Sequence, residues 1–314
     1  MLLNAPQWTQ DTAPGEQWSY CNSGFYIAGC IMENVLGQTY ETIMNERLFG
    51  PLGMERTFWF ANDAIVYSAA AGHSQLPGQE QPKVARPWPI PRNAAAAGAA
   101  ISNVEDVLKF VDFHMSGGVP AGGVISPESV AAMQQPQRRV TSQVEWGIGW
   151  TLGELGGHRV LYHGGGTNGH TSQMYAVPNK NFAIAVLTNS SKGREAIEPI
   201  IDWALERYCG LRHELLTPIE MPAADLQRYA GEYRRKQGVV TVTVETGKLK
   251  LETVMTHPLT HEEIVLPPSF IVPIGNDEFI GAEPGEEHSI TQFVGDAGGH
   301  PRFIRAGYRL VPRA

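Results

Sequence analysis

The sequence is poor in cysteine and contains no long apolar run. Its three cysteines, Cys21, Cys30 and Cys209, are too few and too widely spaced among 314 residues for a disulfide scaffold or for paired zinc ligands. No uninterrupted apolar stretch approaches the roughly 20 residues that a membrane-spanning helix needs. We therefore expect plain thiols, no metal site and no membrane span.

Charge of one sign is not concentrated anywhere in the chain. There are 24 basic and 32 acidic residues, which give a net charge of −8, and neither sign forms a long run. Phosphate binding draws on clustered Lys and Arg, so we expect no nucleic-acid partner. A hydrophobic content of 42% is ordinary for a globular protein, and this length predicts two domains.

Helical patterns begin after Trp18 and are interrupted by a long irregular segment. Apolar spacing predicts a helix over residues 23–35 that ends at Gly37, and a second helix that Thr39 caps. The Ser102 to Glu105 capping box predicts the start of a later helix. Residues 62–93 contain five prolines and little periodicity, which is typical of a long irregular segment such as a lid.

Strand patterns follow, first in the middle of the chain and again beyond residue 224. Residues 146–152, 160–162, 171–177 and 182–188 read as successive strands, and an amphipathic helix comes after them. Helices flanking an antiparallel sheet are indicated. Beyond residue 224, alternating apolar and polar residues separated by turns predict a small β-barrel or sandwich.

Two short motifs carry the chemical signal. The first is Tyr20-Cys21-Asn22, where alternation in an extended segment would put Tyr20 and Asn22 on one face and turn Cys21 into the protein. The second reads His-Gly-Gly-Gly-Thr-Asn-Gly-His from His163 to His170, and its glycines would leave a strand edge free of side chains.

These motifs resemble the second and third signatures of the serine β-lactamase and penicillin-binding-protein superfamily, in its class C β-lactamase, esterase and D-aminopeptidase branch. The likeness extends over residues 14–26, 49–57 and 97–102, and residues 226–233 resemble the start of the lipocalin-like domain appended to such hydrolases. The resemblance implies an α+β, β-lactamase/transpeptidase-like domain over residues 1–215. It also implies a lipocalin-like β-barrel over residues 216–314.

The resemblance also implies roles for individual residues. The Tyr20 phenol would shuttle a proton, and the Asn22 amide would position the acyl side chain of a substrate. His163 would replace the lysine of the Lys-Thr-Gly signature and donate a hydrogen bond, and the Gly166 amide would be one of two oxyanion donors. The neighbouring candidates for substrate contact are Gly164, Gly165, Thr167 and Asn168. The implied chemistry cleaves a small-molecule or peptide substrate and needs no metal or cofactor.

The first signature of that superfamily, Ser-x-x-Lys, is absent, because no serine is followed by lysine three positions later. Only nineteen residues precede Tyr20, so we expect an N-terminal truncation and an inactive chain. Loss of the implied helix and strands should expose an apolar face and a strand edge, which favours self-association. Residues 1–6 lack a secretory signal pattern, and localisation stays open because an export signal would precede the implied segment.

Other interpretations of the motifs remain. Gly164-x-Gly166-x-x-Gly169 fits a dinucleotide fingerprint only if a helix follows it, and the lipase oxyanion loop requires a Gly-x-Ser-x-Gly elbow that the chain lacks. A plain glycine-rich turn with a structural histidine is a further alternative. Substitute nucleophiles, Ser19, Ser23 or Cys21, would each need a base and an oxyanion hole. A non-catalytic protein that binds peptide or cell-wall material is the alternative function.

Overall fold

The computed structural model describes residues 8–75, 78–88, 90–118, 123–256, 262–283 and 289–314. These residues form two compact units. The first comprises Cys21–His213, and the second comprises Trp8–Tyr20 together with Glu214–Ala314. Residues 8–20, which the sequence prediction places in the first domain, therefore cluster with the second unit. The predicted division between residues 215 and 216 stays a prediction.

The first unit combines helices with one antiparallel sheet. Its helices are α1 (Asn22–Leu36), α2 (Tyr40–Met44), α3 (Ala61–Ala64), α4 (Val104–Met115), α5 (Pro127–Met133) and α6 (Arg194–Ala204). Single π-helical turns, Asn45–Phe49 and Leu205–Cys209, extend α2 and α6, and 3-10 turns lie at Arg92–Ala97 and Pro178–Lys180. A two-stranded ribbon pairs β1 (His73–Ser74) with β2 (Lys83–Val84).

The main sheet of this unit has six strands in chain order. They are β3 (Arg138–Arg139), β4 (Glu145–Trp146), β5 (Thr151–Leu155), β6 (His158–Thr167), β7 (His170–Val177) and β8 (Phe182–Thr188), and all neighbours are antiparallel. Adjacent residues of β6 face opposite sides of the sheet, so Val160 packs with α6 and Leu161 packs with α4. Helices therefore cover both faces, as predicted.

Local signals explain the helix boundaries. Gly37 has φ 65° and closes α1, and the Thr39 side chain accepts the Thr42 N–H at the start of α2, both as predicted. The expected Ser102 cap is wrong by one residue. Asn103 caps α4 by accepting the Asp106 N–H at 2.8 Å, because the Ser102 hydroxyl is bonded to the distant Thr57.

The second unit is an antiparallel, nearly closed barrel-like sheet, in agreement with the predicted C-terminal β-barrel. After α7 (Ala223–Leu226) and a 3-10 turn (Gln227–Tyr229), the strands are β9 (Gly231–Arg235), β10 (Gly238–Glu245), β11 (Lys248–Thr256), β12 (Glu263–Val265), β13 (Ser269–Gly275), β14 (Glu278–Gly281), β15 (Thr291–Ala297), β16 (His300–Ala306) and β17 (Arg309–Pro312).

The strands follow one another around this sheet in the order β9, β10, β11, β13, β14, β15, β16 and β17, and β12 pairs with β11. A bridge between Tyr233 and Arg313 brings the last strand back to the first. Aromatic side chains fill the interior: Tyr229, Tyr233, Phe279 and Phe293 are each at most 3% exposed. Their burial supplies the apolar area that stabilises the barrel.

No helix within the described ranges is both long enough and apolar enough to cross a membrane.

Candidate functional site

The predicted His163 motif lies on the last part of β6, for which the described residues provide a strand partner on only one side. β6 pairs with β5 as far as Tyr162, whereas its pairing with β7 continues to Thr167 opposite His170. In the described part of the chain, residues 163–167 therefore have β7 as their only strand partner. In an antiparallel pair, alternate residues turn their N–H and C=O groups away from the partner. An extended ligand could pair with these outward groups.

His163 is a half-buried side chain whose protonation is set by its surroundings. Burial lowers its pKa, and a hydrogen bond with the Gly164 carbonyl acts in the opposite direction. Nδ1 lies 2.7 Å from that oxygen, and since a carbonyl can only accept, Nδ1 carries the proton. The neutral ring has no second N–H to donate, so Nε2 acts as an acceptor. This differs from the donor role that the sequence resemblance implies.

The three glycines after His163 differ in what a side chain would meet. A Cβ on Gly164 would lie 2.7 Å from Gln173 Oε1, and a Cβ on Gly165 would lie 2.5 Å from Ser172 Oγ. A Cβ on Gly166 would meet no atom within 4 Å. A side chain at either of the first two positions would therefore have to displace the end of the Gln173 or the Ser172 side chain. At Gly166 the backbone borders open space.

The turn after β6 is tied to the first-unit segment that carries the β1–β2 ribbon. The Asn168 amide donates to the Pro87 carbonyl at 3.0 Å, and the His73 N–H donates to the Gly169 carbonyl at the same distance. Gly169 has φ 78°, and a Cβ there would lie 2.6 Å from the His73 nitrogen. Asn168 thus anchors the turn to that segment, whereas Thr167 is exposed. The expected irregular segment contains an ordered ribbon.

The first predicted motif is divided between the two compact units. Tyr20 is the last residue of the segment that clusters with the barrel, and Asn22 is the first residue of α1. The prediction that Cys21 turns inward is wrong, because Cys21 is exposed at the extended position before the helix. Within the described residues, the buried Asn22 Oδ1 has no hydrogen-bond partner.

Two other predicted possibilities can be compared with the fold. The dinucleotide interpretation requires a helix after the glycines, and the strand β7 stands there instead. The Ser19 hydroxyl accepts the Leu310 N–H at 3.1 Å, which gives this candidate nucleophile a structural hydrogen bond. Over the described ranges, no group of three or more His, Cys, Asp or Glu residues could hold a metal ion.

Two residues beside the glycines were missed at the sequence level. Ser172 pairs with Gly165 and Gln173 pairs with Gly164 across the hairpin. The sequence did contain the information needed to find them, because an Asn-Gly turn joining Thr167 to His170 fixes the register of the two strands. Counting back from that turn places Ser172 and Gln173 opposite the glycines.

The family model described as Beta-lactamase matches residues 3–205, which is more than half of the chain. The chain belongs to the Beta-lactamase family. Penicillin-binding protein 4 of Amycolatopsis lactamdurans is 29% identical over 73% of this chain and 62% of its own length. A D-aminopeptidase of Brucella anthropi is 25% identical over 59% of this chain and 34% of its own length. The matches thus span less than two thirds of either relative.

Solved structures agree with the family fold. The crystal structure of SurE superposes with a TM-score of 0.72 at 20% identity, covering 100% of this chain and 72% of SurE. The octameric penicillin-binding-protein homologue of Pyrococcus abyssi gives 0.60 at 22% identity, covering 97% of this chain and 67% of that protein. The predicted β-lactamase/transpeptidase-like fold is therefore confirmed. Homologues of this Beta-lactamase family chain are penicillin-binding proteins and D-aminopeptidases.

Proposed function

We propose that this chain supplies cleft-lining residues of a serine hydrolase that cleaves ester, D-amino-acid peptide or β-lactam bonds. The observation that carries the proposal is the one-sided strand at residues 163–167. Its outward backbone groups suit an extended acyl group, and the open space at Gly166 leaves room for one. The penicillin-binding protein and D-aminopeptidase relatives act as precedent for the substrate classes.

In this proposal each predicted residue has a distinct task. The Gly166 N–H stabilises the oxyanion that forms when a serine oxygen attacks the substrate carbonyl. The neutral His163 accepts a hydrogen bond at Nε2, and Tyr20 passes a proton between the serine oxygen and the leaving group. Asn22 donates its amide to the acyl side chain. Gly164, Gly165, Thr167 and Asn168 border the bound substrate.

The serine itself is not among these 314 residues in its Ser-x-x-Lys setting, so we propose that this polypeptide alone forms no acyl-enzyme. Incubation of the purified chain with a fluorophosphonate and with benzylpenicillin, followed by intact-mass measurement, tests this. We expect the unmodified mass of 34.4 kDa. A stable adduct on the purified chain would end the proposal of inactivity, and its loss in Ser19→Ala would identify Ser19 as the nucleophile.

A non-catalytic binding protein is the second candidate, and the absence of Ser-x-x-Lys favours it. The DNA upstream of Met1 separates the two functions. An in-frame Ser-x-x-Lys would favour the hydrolase, and the longer product should then hydrolyse a D-amino-acid amide, an ester or nitrocefin. A promoter and ribosome site directly before Met1 would favour the binding protein. In that case titration with a D-alanyl peptide should show binding that Gly166→Val weakens.

We further propose that the first unit self-associates. On α1, Phe25 is 49% exposed, Ile31 is 57% exposed and Val35 is 75% exposed, which leaves an apolar stripe at helical spacing. In the described part of its sheet, β8 is the terminal strand and pairs only with β7. The octameric Pyrococcus abyssi homologue supports an assembly. Light scattering should show oligomers that Ile31→Glu dissociates, whereas a monomer at micromolar concentration would contradict the proposal.

A further inference from the structure

The segment that ends at Tyr20 is bonded to the last two strands of the barrel. The Tyr20 N–H donates to the Tyr308 carbonyl at 2.9 Å. One residue earlier, the Ser19 hydroxyl accepts the Leu310 N–H at 3.1 Å. These two hydrogen bonds attach the segment to the turn between β16 and β17 and to β17 itself. The backbone at Tyr20 is therefore held by residues almost 300 positions later in the chain.

Side chains reinforce this attachment upstream of Tyr20. Arg302 forms an ion pair with Glu16 at 2.7 Å, and the Trp18 ring meets the Tyr308 ring edge to face with centroids 6.3 Å apart. Arg305, which is 4% exposed, donates from Nη2 to the Trp18 carbonyl at 3.0 Å. Contacts at residues 16, 18, 19 and 20 fix both the path and the rotation of the segment.

The charged side chain of Arg309 contacts the Tyr20 ring. The Arg309 guanidinium carbon lies 4.9 Å from the ring centroid, within the range of a cation–π interaction. Arg309 is exposed at the start of β17, so its side chain is not required to fill the barrel interior. The hydrogen bonds of the Tyr20 N–H and the Ser19 hydroxyl act on the backbone and on Ser19, whereas the Arg309 contact acts on the plane of the phenol ring itself.

We infer that the C-terminal barrel is the element that positions Tyr20, and that Arg309 is the positioning side chain for its ring. This inference rests on the proposed function, in which Tyr20 handles the proton of the reacting serine. It assigns the barrel a task in the hydrolase beyond that of an appended module. Arg309 acts through Tyr20 and is not itself assigned any contact with the reacting atoms.

The test uses the whole chain labelled with 3-fluorotyrosine and observed by ¹⁹F NMR. The change Tyr20→Phe assigns the Tyr20 resonance by its disappearance. In Arg309→Gln we expect this resonance to move towards the position of free 3-fluorotyrosine, because the cation above the ring is lost. Arg309→Lys keeps the cation and should restore most of the original shift. The matched control is Arg234→Gln, which removes another exposed charge, one that pairs with Glu232 on β9.

Hydrogen exchange gives a second measurement that does not depend on the label. Arg309→Gln should speed exchange of the Tyr20 amide about two- to fivefold, the effect expected from losing an exposed cation–π contact. Ser19→Ala should also speed it, because the hydroxyl that binds Leu310 is removed. The inference would be overturned if the Tyr20 ¹⁹F resonance had the same shift in Arg309→Gln as in Arg234→Gln. It would also be overturned if exchange of the Tyr20 amide were unchanged in both Arg309→Gln and Ser19→Ala. Neither readout involves catalysis, so failure here differs from failure to find acyl-enzyme chemistry.

Discussion

His114 is a buried histidine that the fold keeps neutral, and acid should therefore destabilise the first unit. The residue is 3% exposed on α4, and the Trp150 Nε1–H donates to its Nδ1 at 3.4 Å. Burial lowers the pKa of His114 from 6.5 to about 4. Protonation at Nδ1 would place a second hydrogen against the Trp150 N–H, so the charged form loses this bond as well as its hydration.

The sign and size follow from proton uptake on unfolding. Between pH 6.5 and pH 4 the unfolded chain carries a proton on His114 that the folded chain does not, so the free energy of unfolding falls as the pH falls. With these two pKa values the loss is about 2 kcal/mol between pH 7 and pH 5. It levels off below pH 4, where both states are protonated.

Urea unfolding followed by tryptophan fluorescence at pH 7 and pH 5 measures this effect. In His114→Gln an acceptor for Trp150 remains but the titration is gone. We expect the variant to be less stable at pH 7, and the gap to the parent chain to shrink by about 2 kcal/mol at pH 5. The control Val111→Ala truncates a buried, non-titrating side chain of the cluster that contains Trp150, so its gap to the parent chain should be the same at both pH values. A gap for His114→Gln that is the same at both pH values would refute the reasoning.

Two further substitutions follow from the first unit. Gly169→Ala should lower the free energy of unfolding by about 1–3 kcal/mol, because φ is 78° and the backbone is crowded, whereas Gly166→Ala should leave it unchanged in the same thermal unfolding assay. Arg92→Met should cost about 1–3 kcal/mol, because it leaves the buried Glu41 carboxylate without its bidentate partner at 2.7 and 3.0 Å. The hydrogen bond from Arg92 lowers the pKa of Glu41, so this difference should be present at pH 7 and vanish as acid protonates the carboxyl group. An equal loss in both glycine variants, or a difference for Arg92→Met that persists at pH 3, would contradict these expectations.

Local sequence signals were sufficient wherever a boundary depends on neighbouring residues. Gly37 ends α1 because glycine adopts the left-handed conformation without strain, and Thr39 caps α2 through its own hydroxyl. At α4, Ser102 and Asn103 are both good caps, and the pattern favoured Ser102. Asn103 is the cap because the Ser102 hydroxyl is hydrogen-bonded to the hydroxyl of Thr57, 2.8 Å away and 45 residues earlier in the sequence.

The candidate site shows the same limit. The glycine run after His163 was recognisable from the sequence. That residues 163–167 lack β5 as a strand partner was not, because it depends on where the pairing between β5 and β6 stops. The hydrogen bond between His163 Nδ1 and the Gly164 carbonyl decided the tautomer of the ring, and no pattern of residue types contains that information. The contacts of Tyr20 could not be predicted from neighbouring residues at all, since Tyr308 and Arg309 lie almost 300 positions later in the chain.

The capture of residues 16–20 by β16 and β17 sets an order of events during synthesis. The hydrogen bonds and ion pair of this segment join residues 286 to 291 positions apart. At about 5–20 residues per second, a ribosome needs roughly 15–60 s to make the strands that receive the segment. Residues 16–20 therefore cannot form these contacts until β16 and β17 have been made. Folding of the helices and of the six-stranded sheet cannot by itself complete the barrel, because its closing step must follow the synthesis of β17.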